Sequence, residues 1–156
     1  MNKPQFTFKN YQQIDEKACL KLFDDNCPLY FAENERADYQ HFLQSQPADY
    51  QVCLINNEVV GAFGLLPNSD ESDEKPPVSK RINWILICSK AQGLGIGHLF
   101  MQSAISQATK EGIEYINIAA SHLSAPFFSK YGAKTILETH DGWGKDMHKV
   151  DMKLYL

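Results

Sequence analysis

The chain has 156 residues, 44% hydrophobic and 22% charged, which predicts a single globular domain over residues 1–156. The net charge of −4 and the lack of any Lys/Arg-rich run exclude the basic surface that a nucleic-acid backbone requires, so we expect no nucleic-acid partner. No segment has the roughly 20 apolar residues of a membrane span or the apolar core of a signal peptide, so we expect a cytoplasmic protein without a membrane partner.

The first part of the chain predicts a strand, two helices and a β-hairpin, in that order. The segment "QFTFKN" alternates aromatic and polar residues, which is typical of a short strand. A first helix, "EKACLKLFDD", follows Asp15 as its N-cap, and residues 34–44 predict a second helix. The β-rich runs "YQVCLI" and "EVVGAFGLL" are joined by Asn56 and Asn57, which tolerate the positive φ of a hairpin turn.

The middle of the chain predicts a βαβ unit that follows an acidic loop. The loop, "PNSDESDEKPPVSK", is interpreted as solvated surface, with attraction of a cationic substrate as the alternative. The segment "RINWILIC" is apolar at nearly every position from Ile82 to Cys88, which indicates a central strand buried on both faces. A glycine loop, a helix from about His98 that ends before Gly112, and the strand "EYINIAA" complete the unit.

The last part of the chain predicts a short helix and two further strands. The helix is "SAPFFSKYGA", and the strand "KTILET" precedes a loop, "HDGWGK". The final segment, "HKVDMKLYL", alternates apolar and polar residues as a half-buried strand does. Four scattered cysteines lack the spacing of metal ligands, so we expect reduced thiols and no metal.

The loop "SKAQGLGIGHLF" has three alternating glycines, Gly93, Gly95 and Gly97, directly before a helix. Backbone amides at such a junction favour a phosphate group, although a purely steric role for the glycines is the alternative. A dinucleotide fingerprint would need glycine where His98 stands, and a P-loop would need a lysine that the loop lacks. Both of these nucleotide motifs fit poorly.

The segment "ILICSKAQGLGIGHLF" resembles the acetyl-CoA-binding segment of the GNAT family of N-acetyltransferases. Gln92, Gly95 and Gly97 occupy the defined positions of the family pattern, Gln/Arg-x-x-Gly-x-Gly/Ala after an apolar strand. The segment "INIAASHLSAPFFSKYGA" resembles the strand and helix that follow. The resemblance implies an α+β GNAT fold: a mixed central sheet of about six to seven strands, with a splayed central pair, flanked by about four helices.

The resemblance also implies acetyl-CoA as cosubstrate. The main chain of residues 86–88 would pair with the pantetheine arm, and the amides of residues 92–98 would hold the pyrophosphate. The implied acetyl-CoA contacts are Leu86, Ile87, Cys88, Gln92, Gly93, Leu94, Gly95, Ile96, Gly97, His98, His122, Ser124, Phe127 and Phe128.

The implied reaction is direct attack of a small-molecule primary amine on the thioester within a ternary complex. The sequence departs from the family pattern, because Phe128 replaces the tyrosine that often acts as the acid and "RINWILIC" lacks a glutamate. His122 replaces the family's common asparagine and is the candidate catalytic base, with a pantetheine contact as the alternative. These departures leave open a second function, a catalytically weak or inactive acyl-CoA-binding sensor or interaction module. Dimers are common in the family, which admits a homodimer.

Overall fold

The computed structural model describes residues 5–27, 29–68 and 78–156. These residues form nine strands and four α-helices, which confirms the α+β prediction. The strands are β1 (Thr7–Asn10), β2 (Tyr50–Ile55), β3 (Glu58–Gly64), β4 (Leu66–Pro67), β5 (Ser79–Ile82), β6 (Leu86–Ile87), β7 (Tyr115–Ser121), β8 (Lys134–Gly144) and β9 (Met147–Tyr155). The helices are α1 (Glu16–Asn26), α2 (Glu35–Gln44), α3 (Ile96–Lys110) and α4 (Ala125–Ser129).

The strands divide into two sheets, with the orders β1-β2-β3-β6 and β4-β5-β7-β9-β8. Strand β5 runs parallel to β7 and α3 lies between them in the chain, which confirms the βαβ unit. Strands β2 and β3 form the predicted antiparallel hairpin. Its turn residues Asn56 and Asn57 have φ values of 51° and 65°, the left-handed conformation that asparagine tolerates.

The segment "RINWILIC" forms two short strands, and the prediction of one continuous central strand is wrong. Its first residues belong to β5 and pair with β7, whereas Leu86 and Ile87 form β6 and pair with β3 in the other sheet. Residues 83–85 cross between the two sheets. The segment pairs with β7 only as far as Ile82, and beyond the crossing it pairs with β3, so β6 and β7 diverge.

The crossing residues are anchored by a buried tyrosine pair. The Tyr50 hydroxyl donates a hydrogen bond of 2.7 Å to the carbonyl of Trp84, and the Tyr39 hydroxyl lies 2.9 Å from that of Tyr50. The Trp84 ring packs on Tyr39 with ring centroids 4.9 Å apart. Trp84 lies outside both ladders, so Tyr50 supplies the donor that its carbonyl needs when it is buried.

Two cores cover opposite faces of the β-structure. Alternate residues of the hairpin divide between them: Val52 and Ala62 pack in one core, and Cys53 and Phe63 pack in the other. The first core holds residues of α1 and α2, and the second holds residues of α3 and β7. All four cysteines are free thiols, as predicted.

Two element boundaries and one helix cap differ from the prediction. Helix α3 begins at Ile96, before His98, because Gly95 takes a left-handed conformation at its N-cap. The segment "HDGWG" belongs to β8, because pairing with β9 resumes after an irregularity between Thr139 and Gly144. Asp15 stands at the N-cap of α1, yet its carboxylate accepts hydrogen bonds from the amide of Gln12 and from a lysine rather than from the helix. Most of the acidic loop, residues 69–77, lies outside the described residues.

Candidate active site

A cavity of about 250 Å³ opens where β6 and β7 diverge. Its walls come from the ends of these two strands, from α4, from the crossing residues, from the start of α2 and from β8. Five of the predicted acetyl-CoA contacts line it together, namely Ile87, Gln92, Ser124, Phe127 and Phe128.

The three glycines of the loop serve two different purposes. Gly93 and Gly95 have φ values of 86° and 85°, and a Cβ at either position would meet no atom within 4 Å. They are needed for the left-handed backbone, and the space beside them is open. A Cβ at Gly97 would lie 3.1 Å from the Phe127 ring and 3.3 Å from Ile87, so this glycine lets α3 pack closely on the cavity wall.

The loop and the first turn of α3 present a group of free amides. The amides of Gln92 and Leu94 are used within the loop, since they donate to Cys88 and Ala91. Among the amides of residues 92–98, the others have no protein acceptor in the described part of the chain; they belong to Gly93, Gly95, Ile96, Gly97 and His98. With the partial positive charge at the N-terminus of a 15-residue helix, they form a fitting cradle for a pyrophosphate.

Strand β6 directs one amide toward the cavity. The Cys88 amide donates to the Val60 carbonyl of β3 at 2.8 Å. Main-chain groups alternate in direction along an antiparallel ladder, so Leu86 and Cys88 face β3 and Ile87 faces the opposite side. Of the three predicted pantetheine partners, Ile87 therefore has the main-chain groups that point away from the sheet.

The carbonyl of Ile87 is held by two side chains. Asn26 donates to it at 3.0 Å through Nδ2, and Gln92 donates at 3.2 Å through Nε2. Asn26 is buried at the end of α1, and its Oδ1 accepts a hydrogen bond of 3.4 Å from Gln92 Nε2. The side chain of Gln92 thus fixes β6, and the carbonyl is occupied while the Ile87 amide remains for a ligand.

Glu35 is a buried carboxyl at the cavity that the sequence did not single out. Its side chain lines the cavity although the residue is only 4% exposed, and Oε2 accepts a 2.8 Å hydrogen bond from the Ala32 amide. Burial raises the pKa of the Glu35 carboxyl to about 7; the Ala32 amide opposes this rise, and the charge of Asp38 adds to it. Oε1 has no protein donor among the described residues.

An aromatic wall closes the cavity on the side of Glu35. It consists of Tyr30, Phe31, Trp84 and Trp143. The Trp143 indole donates at 2.8 Å to the Ala120 carbonyl of β7, and the Asn34 side chain donates at 2.8 Å to the Trp143 carbonyl. Gly144 allows this approach, because a Cβ there would lie 2.7 Å from that of Ala32. The β8–β9 hairpin is thereby held against the residues that precede α2.

His122, the predicted catalytic base, does not line this cavity. Its amide donates to the His148 carbonyl at 3.0 Å, and its Nδ1 accepts from the His148 amide at 3.1 Å. These bonds continue the pairing with β9 beyond the end of β7 and place the ring in a shallow depression beside Glu138. His122 thus stands between Ser121 and Leu123, which line the cavity, while His122 itself lines the neighbouring depression.

The remaining predicted contacts lie around the cavity rather than in it. Leu86 is buried in the core and Leu94 is exposed on the loop. The His98 ring stacks on Tyr131 and bonds to its hydroxyl at 2.8 Å, outside the cavity lining. As the sequence predicted from Phe128, no tyrosine stands at the position of the usual acid.

Comparisons with known proteins agree with this architecture. A family model described as "Acetyltransferase (GNAT) domain" matches residues 16–156. No functionally curated protein matches the chain by sequence.

Each helix in the described part of the chain is too short or too polar to span a bilayer.

Three solved structures share the fold over nearly the whole chain. Ard1 from Thermoplasma volcanium is 14% identical, with a TM-score of 0.76 and 97% of each chain covered. The ribosomal-protein-alanine N-acetyltransferase from Brucella melitensis is 16% identical, with a TM-score of 0.68 and coverage of 96% of this chain and 99% of that one. The protein yncA from Salmonella typhimurium, solved with its cofactor acetyl-CoA, is 12% identical, with a TM-score of 0.68 and coverage of 97% and 94%.

The raised pKa of Glu35 predicts an unusual pH dependence of stability. Between about pH 4.5, the ordinary value, and about pH 7, the folded state keeps a proton that the unfolded state releases, so the free energy of unfolding falls as pH rises. At about 1.4 kcal/mol per pH unit, the contribution is about 3 kcal/mol in total. Glu35→Gln keeps an acceptor for Ala32 and should remove this contribution, which urea unfolding at pH 5 and pH 8 measures.

The control for this measurement is the exposed Glu58→Gln, which should unfold with the pH dependence of the wild type. Other titrating groups contribute equally to all three proteins and cancel in the comparison. An unchanged pH dependence in Glu35→Gln would contradict the burial of a carboxyl at this position.

Proposed function

Because the chain belongs to the GNAT acetyltransferase family, we propose that it transfers the acetyl group of acetyl-CoA, the cosubstrate of this family, to a small-molecule primary amine. The observation that carries the proposal is that one cavity brings together the end of β6, the glycine loop's Gln92 and the buried carboxyl of Glu35. A donor side and an acceptor side thus share one enclosed space.

The donor side is built from main-chain groups. The free amides of the glycine loop and of the first turn of α3 bind the pyrophosphate of acetyl-CoA. When bound, acetyl-CoA supplies an activated acetyl group as a thioester. The Ile87 amide donates to the thioester carbonyl oxygen, on which negative charge develops as the amine attacks. Asn26 and Gln92 hold the Ile87 carbonyl, so the peptide plane that carries this amide is fixed in advance.

The acceptor side is built around Glu35. An alkyl amine with a pKa of about 10.4 is neutral in only about 1 molecule in 2,500 at pH 7, so a proton acceptor has a large effect on the rate. The Glu35 carboxylate binds the ammonium group and takes its proton through Oε1, and a base with a pKa of about 7 is suited to this task at neutral pH. The proton thereby leaves the nitrogen before the carbon–nitrogen bond forms.

The lack of a phenolic acid is consistent with this reaction. A thiol resembling cysteine has a pKa of about 8.5, so the thiolate of coenzyme A leaves without full protonation. The amine, in contrast, cannot attack while it carries its proton. A protein base is therefore the more important of the two groups, and Glu35 supplies it.

The hairpin contact favours a small acceptor over a peptide. Trp143 and Gly144 are held against Ala120, Ala32 and Asn34, which narrows the side of the cavity that a peptide would enter. Relatives of the same fold include a ribosomal-protein-alanine N-acetyltransferase, so the fold itself does not decide the acceptor. Aromatic rings on the wall and a single carboxylate among the described lining residues suit an amine with one positive charge and an apolar group.

The release of free thiol from acetyl-CoA tests the proposed activity. We expect turnover with a small arylalkylamine such as phenethylamine, weaker turnover with the polycation spermidine, and little with a peptide whose N-terminal residue is alanine. Binding of acetyl-CoA without turnover of any amine would contradict the enzyme and favour an acyl-CoA sensor. A preference for the peptide would contradict the small acceptor alone.

Glu35→Gln should lower kcat by roughly 10²–10⁴-fold, the usual contribution of a general base. The kcat/KM of the wild type should rise as pH passes through about 7, because the carboxyl must lose its proton before it can accept one from the amine. The variant should show no inflection near pH 7, since its rate follows the neutral fraction of the amine and keeps rising below the pKa of the amine, and it should bind acetyl-CoA as the wild type does. A variant with the wild-type profile would exclude Glu35 as the base.

Gly95→Ala tests the phosphate cradle, and Gly112→Ala at the other end of α3 is its matched control. Gly95 and Gly112 flank α3 with φ values of 85° and 76°, so alanine strains both by about 1–2 kcal/mol. Only Gly95 borders the cradle. Strain at this position turns a loop amide away from the phosphate, and the loss of that one charged hydrogen bond weakens acetyl-CoA binding by roughly tenfold or more. Calorimetry should show weaker binding for Gly95→Ala and unchanged binding for Gly112→Ala. Equal affinities would place the pyrophosphate elsewhere.

A further inference from the structure

A histidine cluster lies on the β8–β9 hairpin, outside the cavity lining, and consists of His140, Asp141 and His148. The rings of His140 and His148 stack with centroids 4.5 Å apart. The Asp141 carboxylate lies beside both rings, with Oδ2 at 3.5 Å from His140 Nε2 and Oδ1 at 3.6 Å from His148 Nδ1. One donor atom from each residue falls within 4.8 Å of the other two.

The backbone of the hairpin explains how the three side chains meet. Successive residues of a regular strand point to opposite faces, which would separate His140 from Asp141. Here the pairing of β8 with β9 is irregular between Thr139 and Gly144, and Asp141 has a φ of 51°. This left-handed residue turns its carboxylate to the side of His140, while His148 approaches from the opposite strand.

We propose that the histidine cluster binds a divalent transition-metal ion such as Zn²⁺. Two imidazole nitrogens and one carboxylate oxygen suit Zn²⁺, Ni²⁺ or Cu²⁺, whereas Mg²⁺ and Ca²⁺ prefer oxygen ligands alone. Tetrahedral zinc holds its ligands at about 2.0–2.2 Å, which places neighbouring donor atoms about 3.3 Å apart. Asp141 Oδ2 already lies 3.5 Å from His140 Nε2, and one donor atom of each residue lies within 4.8 Å of the others, so side-chain rotations have to bring the donors about 1 Å closer together.

The hydrogen bonds of the cluster decide which atoms a metal takes. The Asp141 amide donates to His148 Nδ1 at 3.0 Å, so a neutral His148 carries its proton on Nε2 and uses its Nδ1 lone pair to accept this bond. A metal at Nδ1 takes the place of this exposed hydrogen bond, which contributes little to stability. Asp141 Oδ1 accepts from the Asp146 amide at 2.9 Å, so Oδ2 is the oxygen that a metal takes.

His148 is further held by the neighbouring strand. His122 Nδ1 accepts from the His148 amide, and the two rings pack with centroids 4.6 Å apart. His122 is therefore a positioning residue for the cluster, which gives the residue predicted as a base a different place in the structure. The side chain of His140 is 83% exposed, so its rotation onto an ion disturbs little beyond its stacking on His148.

Calorimetric titration of the tag-free protein with ZnCl₂ tests this site. We expect one ion per chain with a dissociation constant in the micromolar range, and no binding of Mg²⁺ under the same conditions. His140→Ala should weaken zinc binding by roughly tenfold or more, and Asp141→Asn should act in the same direction. The asparagine side chain of the second variant keeps an oxygen for the Asp146 amide, so this change tests the ligand without removing the turn.

His41→Ala is the matched control, because His41 is an exposed histidine on α2, away from the hairpin. It should bind zinc as the wild type does. The absence of zinc binding by the wild type would overturn the proposal. Equal binding by His140→Ala and the wild type would also overturn it, since zinc held by the free cysteines would survive that change. Neither result bears on acetyl transfer, whose test is separate.

Discussion

The divergence of β6 from β7 is the constraint on which the rest of the site depends. A strand that stayed paired with β7 would fill the space that the cavity occupies, and the Ile87 amide would be used in a ladder. The chain instead leaves one sheet and joins the other, and the Tyr50 hydroxyl satisfies the Trp84 carbonyl at the crossing. The cavity therefore follows from a division of hydrogen bonds between two sheets.

The buried carboxyl of Glu35 destabilises the folded protein locally at this cavity. An ionised carboxylate in an apolar wall is unfavourable without a partner, which is why burial raises the pKa of Glu35 to about 7. One amide hydrogen bond, from Ala32, holds the side chain without neutralising it. A bound ammonium would supply the missing charge. The group that destabilises the free protein is thus complementary to the proposed acceptor, and the cost is a reason to assign it a function.

The sequence predicted the features that depend on neighbouring residues. The glycine loop, the βαβ unit and the Asn56–Asn57 hairpin follow from local backbone preferences, and the loop with the strand before it and the segment after it indicated the family. The interruption of the central strand did not follow, because a continuous apolar run satisfies one buried strand as well as two. The position of His122 beside His148 did not follow either, because the end of β7 pairs with β9, a contact that sequence position does not reveal.

The same distinction separates the two sides of the cavity. The proposed donor side consists of backbone amides, whose positions follow from a loop and a helix that are contiguous in the chain. The acceptor side joins the start of α2, the crossing residues and the β8–β9 hairpin, segments that lie far apart in the sequence. Contacts such as Gly144 against Ala32 set its shape. A protein of this fold can therefore keep the loop while the shape of the opposite side changes, because local pattern preserves only the first.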